Sequence, residues 1–78
     1  MQIFESSGSG IKFEKGTKFD LIDRAAAGDV AAAGLLSEGY LFGRYQCEKN
    51  HTKAYKWAKY AARKGDEVGK RVLAALES

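Results

Sequence analysis

The sequence predicts a mainly α-helical chain with a small β-hairpin at its N-terminus, and three observations lead there. Through most of residues 17–78, apolar residues recur at the three-to-four spacing of a helix face. The pair Gly-Asp appears twice, at Gly28–Asp29 and Gly65–Asp66, each time where one apolar pattern stops and another starts. Before residue 17 the pattern changes, because Ile11 and Phe13 alternate with Lys12 and Glu14 at the period of a strand. With 78 residues the chain makes one domain at most. A chain this short has a small core and modest stability. Two segments are expected within it, the hairpin at 1–16 and a helical part at 17–78.

In "QIFESSGSGIKFEK" the Gly-Ser cluster supplies the turn of the hairpin. Two strands alone are marginal in water, so the hairpin needs a surface to rest on. The "GSG" is no dinucleotide fingerprint, since Phe13 stands where that motif needs a glycine and a strand follows instead of a helix.

A first helix is expected from Thr17, whose hydroxyl is placed to cap a free amide, with Asp20 complementing the helix dipole. Its predicted inward face is Phe19, Ile22, Ala25 and Ala26, and Asp20, Asp23 and Arg24 take the other. Gly28 ends it. Asp29 caps a second helix through about Phe42, in which Ser37 and Glu38 are the strongly polar side chains. Ala32, Ala33, Leu36, Gly39 and Tyr40 form one stripe, and Leu35 and Phe42 lie away from it. A helix apolar nearly all round is buried on several sides or offers a face to a partner. Its glycines lower helix propensity by about 1 kcal/mol each, which close packing against a neighbour offsets.

"GRYQCEKNH" at 43–51 reads as a polar loop, and Thr52 as the cap of a third helix that runs to Gly65. Asp66 caps a fourth helix, with Val68, Val72, Leu73 and Leu76 inward and Lys70, Arg71 and Glu77 outward. On a wheel of the third helix Ala54, Trp57, Ala58 and Ala61 share one face. Lys53, Lys56, Lys59, Arg63 and Lys64 spread across the opposite side, with Tyr55 and Tyr60 at the two borders. Trp57 therefore reads as a core ring among alanines, not as a stacking platform among lysines.

Charge is uneven. The formal net charge is +3, with −2 over residues 1–48 and +5 over residues 49–78. The single cysteine, Cys47, excludes an internal disulfide framework and points to a reducing, cytoplasmic setting. No stretch approaches the roughly 18 apolar residues of a membrane span, and "MQIFESSGSG" lacks the pattern of a signal peptide. No membrane partner is expected.

Catalysis is not expected. His51 is the only histidine and reads as a capping or solvated residue. Cys47 reads as an inert loop thiol, and Ser6, Ser7 and Ser9 have no activating partner in view. The acidic pairs Asp20/Asp23 and Asp66/Glu67 stand in first helical turns, where the helix dipole explains them. No metal-ligand spacing or phosphate-cradling loop is present, so no metal and no cofactor are expected.

The segments "AAAGDVAAAGLLSEGYLFG" and "KAYKWAKYAARKGD" together resemble the Sel-1-like repeat, a relative of the tetratricopeptide repeat. Gly28, Asp29, Ala32, Leu36, Tyr40 and Gly43 fit the first half of that pattern. Lys53, Ala54, Trp57, Ala61, Ala62, Gly65 and Asp66 fit the second, and the two Gly-Asp pairs are 37 residues apart, within the range of solenoid repeats. The chain departs from the pattern in a loop one residue longer, in Lys49–Asn50 where an aspartate falls, and in Gly34. The resemblance covers residues 28–65 and, as single flanking helices, 18–27 and 66–77.

It implies antiparallel helix hairpins of the α/α solenoid type, about four helices here, and a protein–protein interaction role. The chain is then expected to be a small adaptor, inhibitor or immunity-like binder of one protein target, one that is acidic if the basic face steers it. Carried over by position, Leu35, Glu38 and Phe42 face that partner and Arg44 and Tyr45 form the loop rim. Burial beneath the first helix or the hairpin is the competing account of Leu35 and Phe42. The hairpin edge offers a second way to bind, by adding a strand to a partner's sheet. The alternative function is non-specific nucleic-acid binding through Lys53, Lys56, Lys59, Arg63 and Lys64, extended by Lys49, Lys70 and Arg71.

Overall fold

The computed structural model describes residues 14–78. The predicted hairpin at 1–16 lies outside the described residues except for its last three, and Lys15 and Gly16 form a turn that leads into the first helix. Four helices follow: α1 (Lys18–Ala26), α2 (Val30–Phe42), α3 (His51–Arg63) and α4 (Glu67–Glu77). The described residues contain no strand.

α2 is the centre. α1, α3 and α4 all pack on it, α4 also packs on α3, and α1 approaches neither α3 nor α4. Ala32, Ala33, Gly34, Leu36, Ser37, Gly39 and Tyr40 of α2 are all buried, which is why the helix carries almost no polar side chain. Ser37 solves its own burial by donating its hydroxyl to the Gly34 carbonyl at 2.6 Å. Leu21 and Leu36 are the two large apolar side chains with no exposure, and alanines complete the core: Ala25, Ala54 and Ala61. Small side chains bring the helix axes close, so little volume has to be filled.

The 37-residue period seen in the sequence is a period of backbone geometry. At the α1–α2 connection the Ala27 N–H reaches Asp23 O and Arg24 O, Gly28 N–H reaches Ala25 O, and Asp29 N–H reaches Arg24 O. At the α3–α4 connection Lys64 reaches Tyr60 and Ala61, Gly65 reaches Ala62, and Asp66 reaches Ala61 in the same pattern. Gly28 and Gly65 hold φ of +101° and +94°, a left-handed conformation that a side chain would strain. Each aspartate then caps the next helix, Asp29 on Ala32 N–H at 3.2 Å and Asp66 on Gly69 N–H at 2.8 Å.

Two other expected caps are corrected. Thr17 occupies the N-cap of α1, but its hydroxyl donates backwards to Glu14 O at 2.8 Å and caps nothing. Asp20 of the first turn instead accepts from Gly16 N–H, ahead of the helix, at 2.9 Å. α3 begins one residue before the predicted cap Thr52, because Asn50 is the N-cap and accepts from Lys53 N–H at 3.0 Å. The inward face of α1 also differs. Leu21 and Ala25 are buried, whereas Phe19 is 55% exposed and Ala26 is exposed. Leu21 and Ala25 are one helical turn apart on one line, and the small Ala25 lets α1 close over Leu21. In α4 only Val72 of the four predicted inward residues is buried, with Val68, Leu73 and Leu76 half-buried at the end of the stack.

The glycines inside α2 mark close approaches. A Cβ on Gly34 would overlap the carboxylate of Asp66, so this glycine admits the cap of α4 against the middle of α2. A Cβ on Gly39 would lie 2.9 Å from Arg44 O and 3.0 Å from Cys47 Sγ, so it admits the α2–α3 loop. The first obstacle is a movable side chain and the second is backbone.

Gly34→Ala is therefore expected to forgo the gain of about 1 kcal/mol that Gly→Ala gives inside a free helix, and to recover it in an Asp66→Ala background. Gly39→Ala is expected to destabilise by about 1–3 kcal/mol in either background. Urea midpoints of the four variants check both statements, and equal effects of the two alanines would refute them.

A second expectation concerns acid. Arg24 bridges Asp20 at 3.2 Å and Asp29 at 3.0 Å, tying α1 to the cap of α2. The Gly16 amide, then Arg24, holds Asp20 below the usual carboxylate range, and the Ala32 amide, then Arg24, does the same for Asp29. With folded values below unfolded ones, this contribution is complete above the unfolded carboxyl range near about pH 4 and disappears as pH falls through the folded values. Asp20→Asn/Asp29→Asn is expected to be less stable at neutral pH and to lose less stability on acidification, read as urea midpoints against pH.

Candidate functional site

Two concave surfaces flank α2, one on the side of α4 and one between α1 and α3. The first gathers most of the residues expected at a partner surface. Glu38 lies on α2 with little exposure, and its two carboxylate oxygens serve different residues of the following loop. Oε1 accepts from the Tyr45 hydroxyl at 3.0 Å, and Oε2 lies 3.5 Å from the Arg44 guanidinium. The same guanidinium stands 5.0 Å above the ring of Phe42. Burial, and after it the bond to Glu38, pushes the Tyr45 hydroxyl above its ordinary value, so Tyr45 remains a donor at neutral pH. Phe42 is 51% exposed. Together with Glu38 and Leu41 it lines a hollow of about 100 Å³, whose far wall is Val68, Arg71, Val72 and Ala75 of α4.

Leu35 does not join this cluster. It is half-buried against the core, so of the two accounts open for Leu35 and Phe42, packing fits the first and exposure the second. Arg71 is the residue that sequence reasoning placed elsewhere, with the outer cations. Its position opposite Phe42 depends on how α4 crosses α2, which no local pattern encodes.

The loop that carries Arg44 and Tyr45 is held tightly. α2 ends at Gly43 with φ +74°, and both Gly43 N–H and Arg44 N–H reach Gly39 O, at 2.7 and 2.9 Å. Tyr45 and Gln46 follow with φ of +57° and +65°, two consecutive side-chain-bearing residues in the left-handed region. That conformation costs roughly 1–2 kcal/mol per residue and is offset here by the Tyr45–Glu38 bond, the buried Cys47 and the Asn50 N–H bond to Tyr40 O at 2.8 Å. With the chain in this conformation the Tyr45 side chain lies back against α2.

The second surface is a groove of about 450 Å³ lined by Ile22 of α1, Tyr40 of α2, and Lys53, Lys56, Trp57 and Tyr60 of α3. It exists because α1 and α3 both rest on α2 while their backbones stay apart. The predicted polarity of α3 holds: Ala54, Ala58 and Ala61 have no exposure, Tyr55 and Tyr60 stand at the borders with 37% each, and Lys53, Lys56, Lys59, Arg63 and Lys64 are exposed. Trp57 needs a correction. It packs against the core but is only half-buried, and it shares the groove with Lys53 and Lys56 instead of standing clear of the lysines. The gap left by α1 uncovers one side of the indole. Its ring meets Tyr60 edge-on, with centroids 6.5 Å apart and planes at 88°.

None of the five cations of this face forms an ion pair with a described carboxylate. Three ammonium groups lie over rings instead: Lys53 over Tyr40 at 5.5 Å, Lys59 over Tyr55 at 5.4 Å and Lys64 over Tyr60 at 5.9 Å.

The residues weighed for chemistry are scattered. Cys47 is buried, and burial pushes its thiol up against the smaller opposing pull of Lys18 and Lys53. His51 is exposed in the first turn of α3. Among the described residues no three of His, Cys, Asp and Glu are grouped so as to hold a metal ion, and no helix is long and apolar enough to cross a membrane. Gly28, Leu36, Tyr40, Gly43, Ala54, Trp57, Ala61 and Gly65, expected as structural positions of the repeat, lie in the core, at the helix ends, or in Trp57's case at the groove.

Cys47 is expected to react with iodoacetamide at mildly alkaline pH at least about tenfold more slowly in the native chain than in urea, because reaction requires the loop to open. Mass-spectrometric labelling rates measure this, and equal rates would contradict a buried, protonated thiol. Comparison of the chain with protein-family models, curated proteins and solved structures finds no match.

Proposed function

We propose that the chain is a small non-enzymatic protein-interaction module, an adaptor, inhibitor or immunity-like binder of one protein target, built on a Sel-1-like repeat of the α/α solenoid type. The repeated connector geometry 37 residues apart supports the repeat reading, as does the packing of α4 on both α2 and α3, since stacked hairpins bury their apolar faces on their neighbours. The reading accords with an unpaired, buried thiol and a cytoplasmic setting.

The observation that carries the binding reading is the arrangement around Phe42. A ring half open to solvent stands beside a charged and hydroxylated cluster, Glu38, Arg44 and Tyr45, whose members hold one another in place. Exposed aromatics with a preordered arginine and tyrosine are what interface anchors consist of. The hollow against α4 receives a partner's side chain next to Phe42.

A second reading, non-specific nucleic-acid binding, draws on the five cations of α3 and its C-cap, which pair with no carboxylate among the described residues. The two separate by mutation. For a partner purified after affinity capture, Phe42→Glu is expected to weaken binding by about tenfold or more, with the circular dichroism unchanged. Lys56→Glu/Arg63→Glu is expected to slow association and reduce its salt dependence. Loss of binding in neither variant refutes the site. Retardation of labelled nucleic acid that persists at physiological salt favours the second reading over the first.

A further inference from the structure

We infer that the groove between α1 and α3 is a docking site for an acidic peptide segment bearing an apolar or aromatic anchor. This surface is separate from the Phe42 side of α2, and the inference does not depend on that side binding anything.

The groove combines two chemistries. Its floor is apolar and aromatic, made by Ile22, Tyr40, Trp57 and Tyr60, and its α3 rim carries the ammonium groups of Lys53 and Lys56. At about 450 Å³ it is large enough for one or two side chains of an extended segment. The rim charges are not neutralised within the described chain, and Lys59, Arg63 and Lys64 continue the positive field along the same helix. An occupant gains most by placing carboxylates along α3 and an apolar side chain against the half-buried indole.

Nucleic acid fits this groove less well. Base stacking needs open ring faces. Here Tyr40 and Tyr60 each have a lysine over the ring, and Trp57 and Tyr60 meet edge-on. A single apolar side chain needs only part of the floor, and carboxylates on either side of it reach Lys53 and Lys56.

Trp57 is the only tryptophan of the chain, so its emission reports on the groove directly. Three probes are titrated at physiological salt: a short Glu/Asp-rich peptide with one central phenylalanine, the same peptide with serine in its place, and oligo(dT) of matched charge. The phenylalanine peptide is expected to shift the emission saturably and to bind about tenfold tighter than the serine peptide, the difference that burying one ring supplies. Lys53→Glu/Lys56→Glu is expected to weaken it by about tenfold or more, and Tyr60→Ala, which removes part of one wall, to weaken it severalfold. Phe42→Glu is expected to leave it unchanged, which keeps this test distinct from that of the other face. Equal affinity of the two peptides, tighter binding of oligo(dT), or no saturable shift overturns the inference.

Discussion

α2 can carry three helices and a tight loop against it only because it has two places without a side chain, and the rest of the architecture follows from those two approaches. At Gly34 the α3–α4 connector brings the Asp66 carboxylate onto the helix, and at Gly39 the backbone of the following loop does the same. Both glycines weaken α2 as an isolated helix. In the folded chain they let a short sequence place three other helices and a tight loop around one axis. Stability therefore resides in the stacking and not in any one helix, which suits a core with only two large, fully buried apolar side chains among the described residues.

The two Gly-Asp connectors act as a repeated joint. Each uses a left-handed glycine to end one helix and an aspartate to begin the next, with the same bonds at the same offsets. Their surroundings differ. Asp29 is clamped by Arg24, whereas Asp66 sits against Gly34 and has no such cation among its bonds. One joint is fixed by an ion pair and the other by close packing.

α2 also separates two surfaces of different character. On the α4 side Glu38, Arg44 and Tyr45 hold one another and an aromatic ring is left open. On the α1–α3 side the rings carry the chain's own lysines, and the positive charge has no carboxylate partner among the described residues. The first arrangement is ordered before anything binds, which lowers the cost of association. The second contributes a field that draws acidic partners from a distance and weakens with salt.

The sequence by itself determined what depends on neighbours along the chain. Gly28, Asp29, Gly65 and Asp66 announce their joints because a left-handed residue followed by a capping carboxylate is a local requirement. The polarity of α3 was equally legible, since alanines and lysines three and four apart fix which side meets the core. The near absence of polar residues in α2 foretold its central place.

Other features were decided only by tertiary structure. Thr17 and Asn50–Thr52 offer competing capping side chains, and loop geometry chooses between them. Leu21 displaced Phe19 from the α1 interface because helix approach favours the line through Ala25. Trp57 became half a groove wall because α1 stops short of α3, and Arg71 came to face Phe42 through the crossing of α4 over α2. Each of these depends on distances between helices, and spacing within a helix sets the direction of a side chain but not what stands opposite it.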